Sequence, residues 1–297
     1  MSNCISTFSE GQIDSGKRNI RSRQWAVAGV VSLLMVQMAP AVLVEFTTGE
    51  GYTSGSLNGQ PSGNSSWATS SGNASFTVNP AGGGSVAVDT AASNSNTAVY
   101  QSPIDFTTGV AYTSSVEFSF TQSVVNTGTS TVLFSNAYSS NPSSTTLGSS
   151  AISLGRVTGV DGYRFATFAS ASVNIAGTAL GINSAGSDTT SDIIRMTLTL
   201  QQGATATTWI GTATLYNVTT STVLATRTSN AVDLSGVFTD TSLYGTMAVG
   251  GTASTSGASN LTVLAYSSPV AVPEPATWAL LIGGALFLVL RRARQRA

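Results

Sequence analysis

The side chains that most enzymes use are scarce in this chain. It has no histidine, and its only cysteine is Cys4. Beyond that residue a Ser-His-Asp triad, a cysteine nucleophile, a disulfide and a His/Cys zinc site are all excluded. What remains are carboxylates and aromatics. Glu50 and Glu117 are the pair that glycoside hydrolysis would need, since two acids must flank the scissile bond. Glu117 sits on the polar face of an alternating segment, with no second acid at cross-face spacing. Glu45, Glu50 and Asp105 are oxygen donors of the type that Ca²⁺ prefers, but no Asp-x-Asp-x-Asp-Gly loop frames them, and they read as solvated loop acids. The expectation is a non-enzymatic protein with no catalytic residue, metal or cofactor. Tyr52 and Trp67 lie in a stretch rich in Gly, Ser and Asn. Exposed there, they would stack on the apolar face of a sugar ring. The alternative is a loop tucked beneath the body by its own aromatics.

Basic charge is concentrated at the two ends. Lys17, Arg18, Arg21 and Arg23 precede the first apolar run, and Arg291, Arg292, Arg294 and Arg296 follow the last. Residues 42–272 hold four basic and ten acidic residues, a net charge of −6, with no lysine. A basic footprint for nucleic acid is absent there, so no nucleic-acid partner is expected. Residues 25–36 form a twelve-residue apolar run, followed by Ala39-Pro40-Ala41. A basic lead, an apolar stretch and an A-x-A site together predict a secretory signal region over 1–41, cut after Ala41.

The C-terminal apolar run, 276–290, has fifteen residues. As a helix it would span roughly 22 Å against a hydrocarbon core of roughly 30 Å. Trp278 suits one interface, and the arginine stems reach the other. The run predicts a short transmembrane helix, with the arginine cluster held on the cytoplasmic side. Pro273 and Pro275 fix φ and remove two N–H donors, so the step before the run stays extended, with Glu274 as its only charge.

Between the ends the period changes to two. Val110, Tyr112, Val116, Phe118 and Phe120 alternate with polar Thr113, Ser115, Glu117, Ser119 and Thr121. Ile194, Met196, Leu198 and Leu200 do the same against Arg195, Thr197, Thr199 and Gln201. Both are half-buried strands. Eleven further segments carry strand signals: 43–47, 74–79, 84–89, 97–101, 131–136, 150–157, 162–169, 206–216, 222–228, 243–249 and 259–266. Val-Asn-Pro-Ala-Gly-Gly-Gly-Ser at 78–85 reads as a hairpin loop. Many short strands with turn residues between them predict an all-β fold: one sandwich of the concanavalin-like or jelly-roll type over 42–268, with 269–297 as a tail. A β-solenoid is the second choice, and the lack of a fixed-period repeat counts against it. Asn64, Asn73, Asn217 and Asn260 each open an Asn-x-Ser/Thr sequon.

Pro273-Glu274-Pro275, the apolar run and the terminal arginines, in that order, resemble the PEP-CTERM sorting signal of bacteria that export exopolysaccharide. The resemblance implies processing by an exosortase, a multi-pass membrane transpeptidase-like enzyme that cuts near the Pro-Glu-Pro step. The segment Glu45-Phe46-Thr47-Thr48-Gly49-Glu50-Gly51-Tyr52, with Gly55, Leu57, Gly59 and Gln60, resembles the start of lectin-like sandwich domains often joined to such a tail. The sequence thus predicts an exported envelope or matrix protein, transiently anchored by its C-terminus, whose partners are a processing enzyme, the membrane and exopolysaccharide. The rival readings are a lectin-like binding module and a secreted polysaccharide-active enzyme.

Overall fold

The computed structural model describes residues 42–62, 65–69, 76–89, 96–105, 110–120, 131–140, 151–156, 162–167, 172–181, 192–236, 238, 242–249 and 260–272. The predicted signal segment, the Pro-Glu-Pro step and the predicted C-terminal helix lie outside them.

The described chain is two antiparallel sheets, with strands numbered in chain order. The main path of the ten-stranded sheet starts with β15 (Thr222–Thr228), β14 (Thr208–Asn217), β13 (Ile194–Gln202) and β8 (Ala111–Phe120). It continues through β18 (Asn260–Val272), β6 (Ser85–Asp89), β5 (Phe76–Asn79) and β2 (Gly55–Ser56). β1 (Leu43–Val44) pairs with β18, and β16 (Val232–Asp233) with β14. The eight-stranded sheet begins β12 (Val173–Ala176), β11 (Gly162–Thr167), β10 (Ile152–Arg156) and β9 (Thr131–Ser139). It ends β17 (Ser242–Val249), β7 (Asn96–Asp105), β4 (Ser65–Thr69) and β3 (Pro61–Ser62). The last two strands enter the middle of opposite sheets. β17 lies between β9 and β7, and β18 between β8 and β6.

Period two explains the layering. Along β8 every even residue is buried and every odd one half-buried, and β13 and β14 repeat the alternation. One face of each strand is therefore core, and the other meets solvent. Phe118 of β8 lies 5.1 Å from Phe134 of β9, and Phe120 lies 5.7 Å from Tyr163 of β11, so the rings interleave between sheets. Polar bolts cross the same gap. The Tyr138 hydroxyl reaches the Tyr112 and Leu198 carbonyls at 3.0 and 3.2 Å. Asn136 Nδ2 donates to Ser114 O at 3.3 Å and to Ser114 Oγ at 3.2 Å. Two chain segments also approach closely. A Cβ on Gly245 of β17 would strike the hydroxyl of Tyr266 on β18 and come within 2.9 Å of Pro269 Cδ.

The expected sandwich and the hairpin at 78–85 are both present. The body runs farther than expected, however: β18 continues to Val272, four residues past the expected boundary at 268. Hydrogen bonding decides this, because Val270, Ala271 and Val272 pair with Thr113, Tyr112 and Ala111.

Candidate functional site

Tyr52 and Trp67 do not present rings to solvent. They are 3% and 1% exposed, in a buried layer with Phe46, Tyr100 and Tyr266. The Trp67 ring lies 5.2 Å from Tyr100 and 5.3 Å from Tyr266, edge to face. Its Nε1–H donates to the Tyr52 hydroxyl at 2.8 Å, which donates onward to Pro61 O at 2.5 Å. Burial pushes the Tyr52 phenol above its ordinary range. Sugar stacking needs an open ring face, so the sequence expectation for these two residues is corrected and the tucked loop is what the chain forms. Composition misled here. Ser65, Ser66 and Thr69 beside Trp67 are themselves part of β4, and the indole falls on the inward side of that strand.

The acids are occupied as well. Glu50 closes its own loop, accepting from Glu45 N at 3.1 and 3.0 Å and from Thr47 N at 3.1 Å. That loop carries buried Phe46 at φ 58°, a left-handed conformation that a bulky residue adopts only when its surroundings impose it. Gly84 lies against the Glu45 carbonyl so closely that no Cβ would fit. Asp105 accepts from Ser242 Oγ at 3.0 Å. Glu117 is ion-paired with Arg195, whose Nε donates to Glu117 Oε1 at 2.7 Å. The same guanidinium stands 5.9 Å from the centre of the Tyr216 ring. Among the described residues no group of three His, Cys, Asp or Glu is placed to hold a metal ion. Asn217, one of the four sequon asparagines, is buried, and its Nδ2 donates to Asp192 Oδ2 at 2.8 Å. Asn64 and Asn73 lie outside the described residues.

Another surface comes forward instead. On the outer face of β8, β13, β14 and β15, registration places Thr113, Thr199, Thr212 and Thr228 side by side. The next row is Ser115, Thr197, Thr214 and Thr226. Neighbours within rows touch through their hydroxyls: Thr113 to Thr199 at 2.8 Å, Thr212 to Thr228 at 3.1 Å and Thr214 to Thr226 at 3.5 Å. Sheet geometry spaces the positions about 4.8 Å across strands and about 6.8 Å along them. The row beyond is Glu117, Arg195 and Tyr216, where the two charges neutralise each other. The result is a hydroxyl-and-methyl array bordered by an ion pair. Its sequence signal is a Thr-x-Thr step on three consecutive strands, at 197–199, 212–214 and 226–228. The steps are visible in the sequence, but their alignment depends on register.

The sorting residues Pro273, Glu274 and Pro275, the cluster Arg291, Arg292, Arg294 and Arg296, and the expected cleavage residues Ala39 and Ala41 lie outside the described residues. The structure does describe both chain segments next to them. Val42 N donates to Ser268 Oγ at 3.2 Å, and Ser268 N donates to Val42 O at 3.0 Å. The first described residue is thus fastened to β18, the strand that leads into the tail. Among the described residues no helix is long and apolar enough to cross a membrane.

No curated protein matches the sequence. Similar solved structures include lectin II from Ulex europaeus, at 11% identity and a TM-score of 0.46, covering 78% of this chain and 99% of that one. The Lotus tetragonolobus seed lectin is 9% identical over 78% of this chain and 99% of that one, with a TM-score of 0.45. The metal-free form of lectin I-B4 from Griffonia simplicifolia is 10% identical over 68% and 92%, with a TM-score of 0.42. The model of the PEP-CTERM protein-sorting motif matches residues 271–295, so this chain carries that sorting signal, as an exosortase substrate does.

Proposed function

We propose that the protein is a non-enzymatic component of the extracellular matrix, released at the outer surface after its C-terminal anchor is cut, and that it associates there with exopolysaccharide. The observation that carries this reading is the threonine and serine array on the outer face of β8, β13, β14 and β15. A polysaccharide chain is long, hydroxylated and repetitive. An open face of repeated hydroxyls and methyls offers it hydrogen bonds and apolar contact together. Glu50 is turned into its own loop by the backbone N–H groups of Glu45 and Thr47, and Glu117 is paired with Arg195, which supports a structural role for both acids over hydrolysis.

The test is co-sedimentation of the exported body, residues 42–272, with purified exopolysaccharide from the producing bacterium. Replacing Thr197, Thr199, Thr212 and Thr214 by Val keeps side-chain shape and strand preference and removes four hydroxyls. The bound fraction should fall about tenfold, on the order of one to two net hydrogen bonds. An unchanged bound fraction sinks the assignment of the face, and a parent that does not sediment sinks the association itself.

A further inference from the structure

We propose that Val270, Ala271 and Val272 are the upstream arm of the segment that the processing enzyme grips, and that the chain delivers this arm by peeling the end of β18 away from β8. The inference rests on the sorting motif and is independent of the glycan reading.

Three observations converge. First, ladder and motif overlap. β18 ends at Val272 and Pro273 follows directly, while the sorting-motif match already begins at Ala271. Ala271 and Val272 therefore belong both to a sheet and to the signal that an enzyme reads. Peptide-processing enzymes bind substrate as an extended strand through its backbone groups. A backbone already paired with β8 has those groups engaged, so the two uses exclude each other in time.

Second, this end of β18 is built differently from the rest. Farther back the strand is paired on both sides. β8 lies along one edge, while the other is taken by β6 at 260–263 and by β1 at 266–267. The contact of Ser268 N with Val42 O closes that second edge. Beyond it, among the described residues, Val270, Ala271 and Val272 pair with β8 alone.

Third, a break separates the arm from the body of the strand. The register with β8 shifts between Ser267 and Val270. Pro269 lies in that break and has no N–H to give to a ladder. The three residues can then open as a unit without unzipping Tyr266 and the aromatic layer, as strand ends do at low cost. Opening them supplies about 10 Å of extended chain upstream of Pro273. None of the three is fully buried: Val272 is 39% exposed, and Val270 and Ala271 are half-buried, Ala271 resting against the core by a single methyl, so the release uncovers a modest apolar area.

The experiment staples the arm. Ala111 and Val272 lie directly opposite each other, a spacing that a disulfide can span. Ala111→Cys with Val272→Cys is built in the full-length chain carrying Cys4→Ser, and expressed in a host with the processing enzyme. Cleavage is followed by product size, with the two single-cysteine chains as controls for redox conditions. The stapled chain should be cut at least tenfold more slowly than either control. Six Gly/Ser residues inserted between Val272 and Pro273 of the stapled chain should restore cleavage, because they supply an arm that the staple does not hold. The same insertion without the staple should speed cleavage several-fold, a readout that needs no disulfide. A stapled chain cut at the control rate overturns the proposal, as does a linker that restores nothing. A parent that is never cut fails differently: it removes the enzyme from the account, and the arm with it.

Discussion

The two faces of β8, β13 and β14 make opposite use of the same strands. Inward, Val116, Phe118, Met196, Leu198 and Leu215 are fully buried. Outward, within the same strands, stand Thr113, Thr197, Thr199, Thr212 and Thr214. The inner face is a packing problem, in which every methylene has neighbours and a change of volume is felt. The outer face is a pattern, in which register fixes the positions and water fills any gap. Fold and surface chemistry can therefore be altered separately, and substitutions on the two faces should differ in kind as well as in size.

The largest effect belongs to the aromatic layer. Trp67→Ala should cost about 4 kcal/mol, from lost burial and a residual cavity, and it removes the donor to the Tyr52 hydroxyl. Urea unfolding followed by circular dichroism measures it, and a loss below about 1 kcal/mol would mean that the layer is not the packed centre. Alkali probes the same region. Tyr138 and Tyr266 are fully buried, and burial pushes both phenols up. Folded, they keep protons that the unfolded chain releases near pH 10, so their contribution is intact below that pH and is lost above it. The two together should lower stability by about 3 kcal/mol per pH unit above pH 10. Tyr266→Phe should remove one share of that slope, and a variant with the parent's slope would break the assignment.

Next comes the close approach of the sheets at Gly245. Gly245→Ala places a methyl against the Tyr266 hydroxyl and Pro269, and overpacking of this kind costs about 2 kcal/mol. Combining it with Tyr266→Phe removes the struck atom, so the double variant should recover much of the loss in a urea titration. Additive losses would place the strain elsewhere.

Reading the sequence succeeded where one physical signal sufficed. Residues 110–120 and 194–200 alternate cleanly, because one face is buried and the other wet, and both are strands of the expected length. The run at 131–136 continues to Ser139, and the one at 97–101 to Asp105. Asn136 at the end of one run and Ser102-Pro103 just after the other read as turn residues, but pairing with β17 carries both strands past them. β2, β3 and β16 escaped notice because two residues cannot show a period. β4 and β12 are short and lie among small polar residues. Trp67 was legible as an aromatic but not as a buried one, since its burial comes from Tyr100 and Tyr266, distant in sequence. The threonine array is of the same type. Each Thr-x-Thr step is local, while their alignment is set by the pairings of β8, β13, β14 and β15.

The smallest expected effect is the sharpest test of the two-face division. Thr199 and Thr212 stand directly opposite each other on the outer face. Replacing both by Val keeps the β-branched shape that strands favour. It removes the hydroxyl contacts of Thr199 with Thr113 and of Thr212 with Thr228. Those contacts lie on the solvent side, where water takes up a vacated hydroxyl, so stability should change by less than about 0.5 kcal/mol. Leu198→Thr, one residue along the same strand, is the counterpart. It replaces a fully buried isobutyl group by a smaller side chain that carries a hydroxyl, and the lost packing together with the buried polar group should cost about 2 kcal/mol or more. Urea midpoints at equal slope compare the two directly. If the outer pair costs as much as the inner residue, the threonines are holding the sandwich together, and their hydroxyls are not free to meet a glycan.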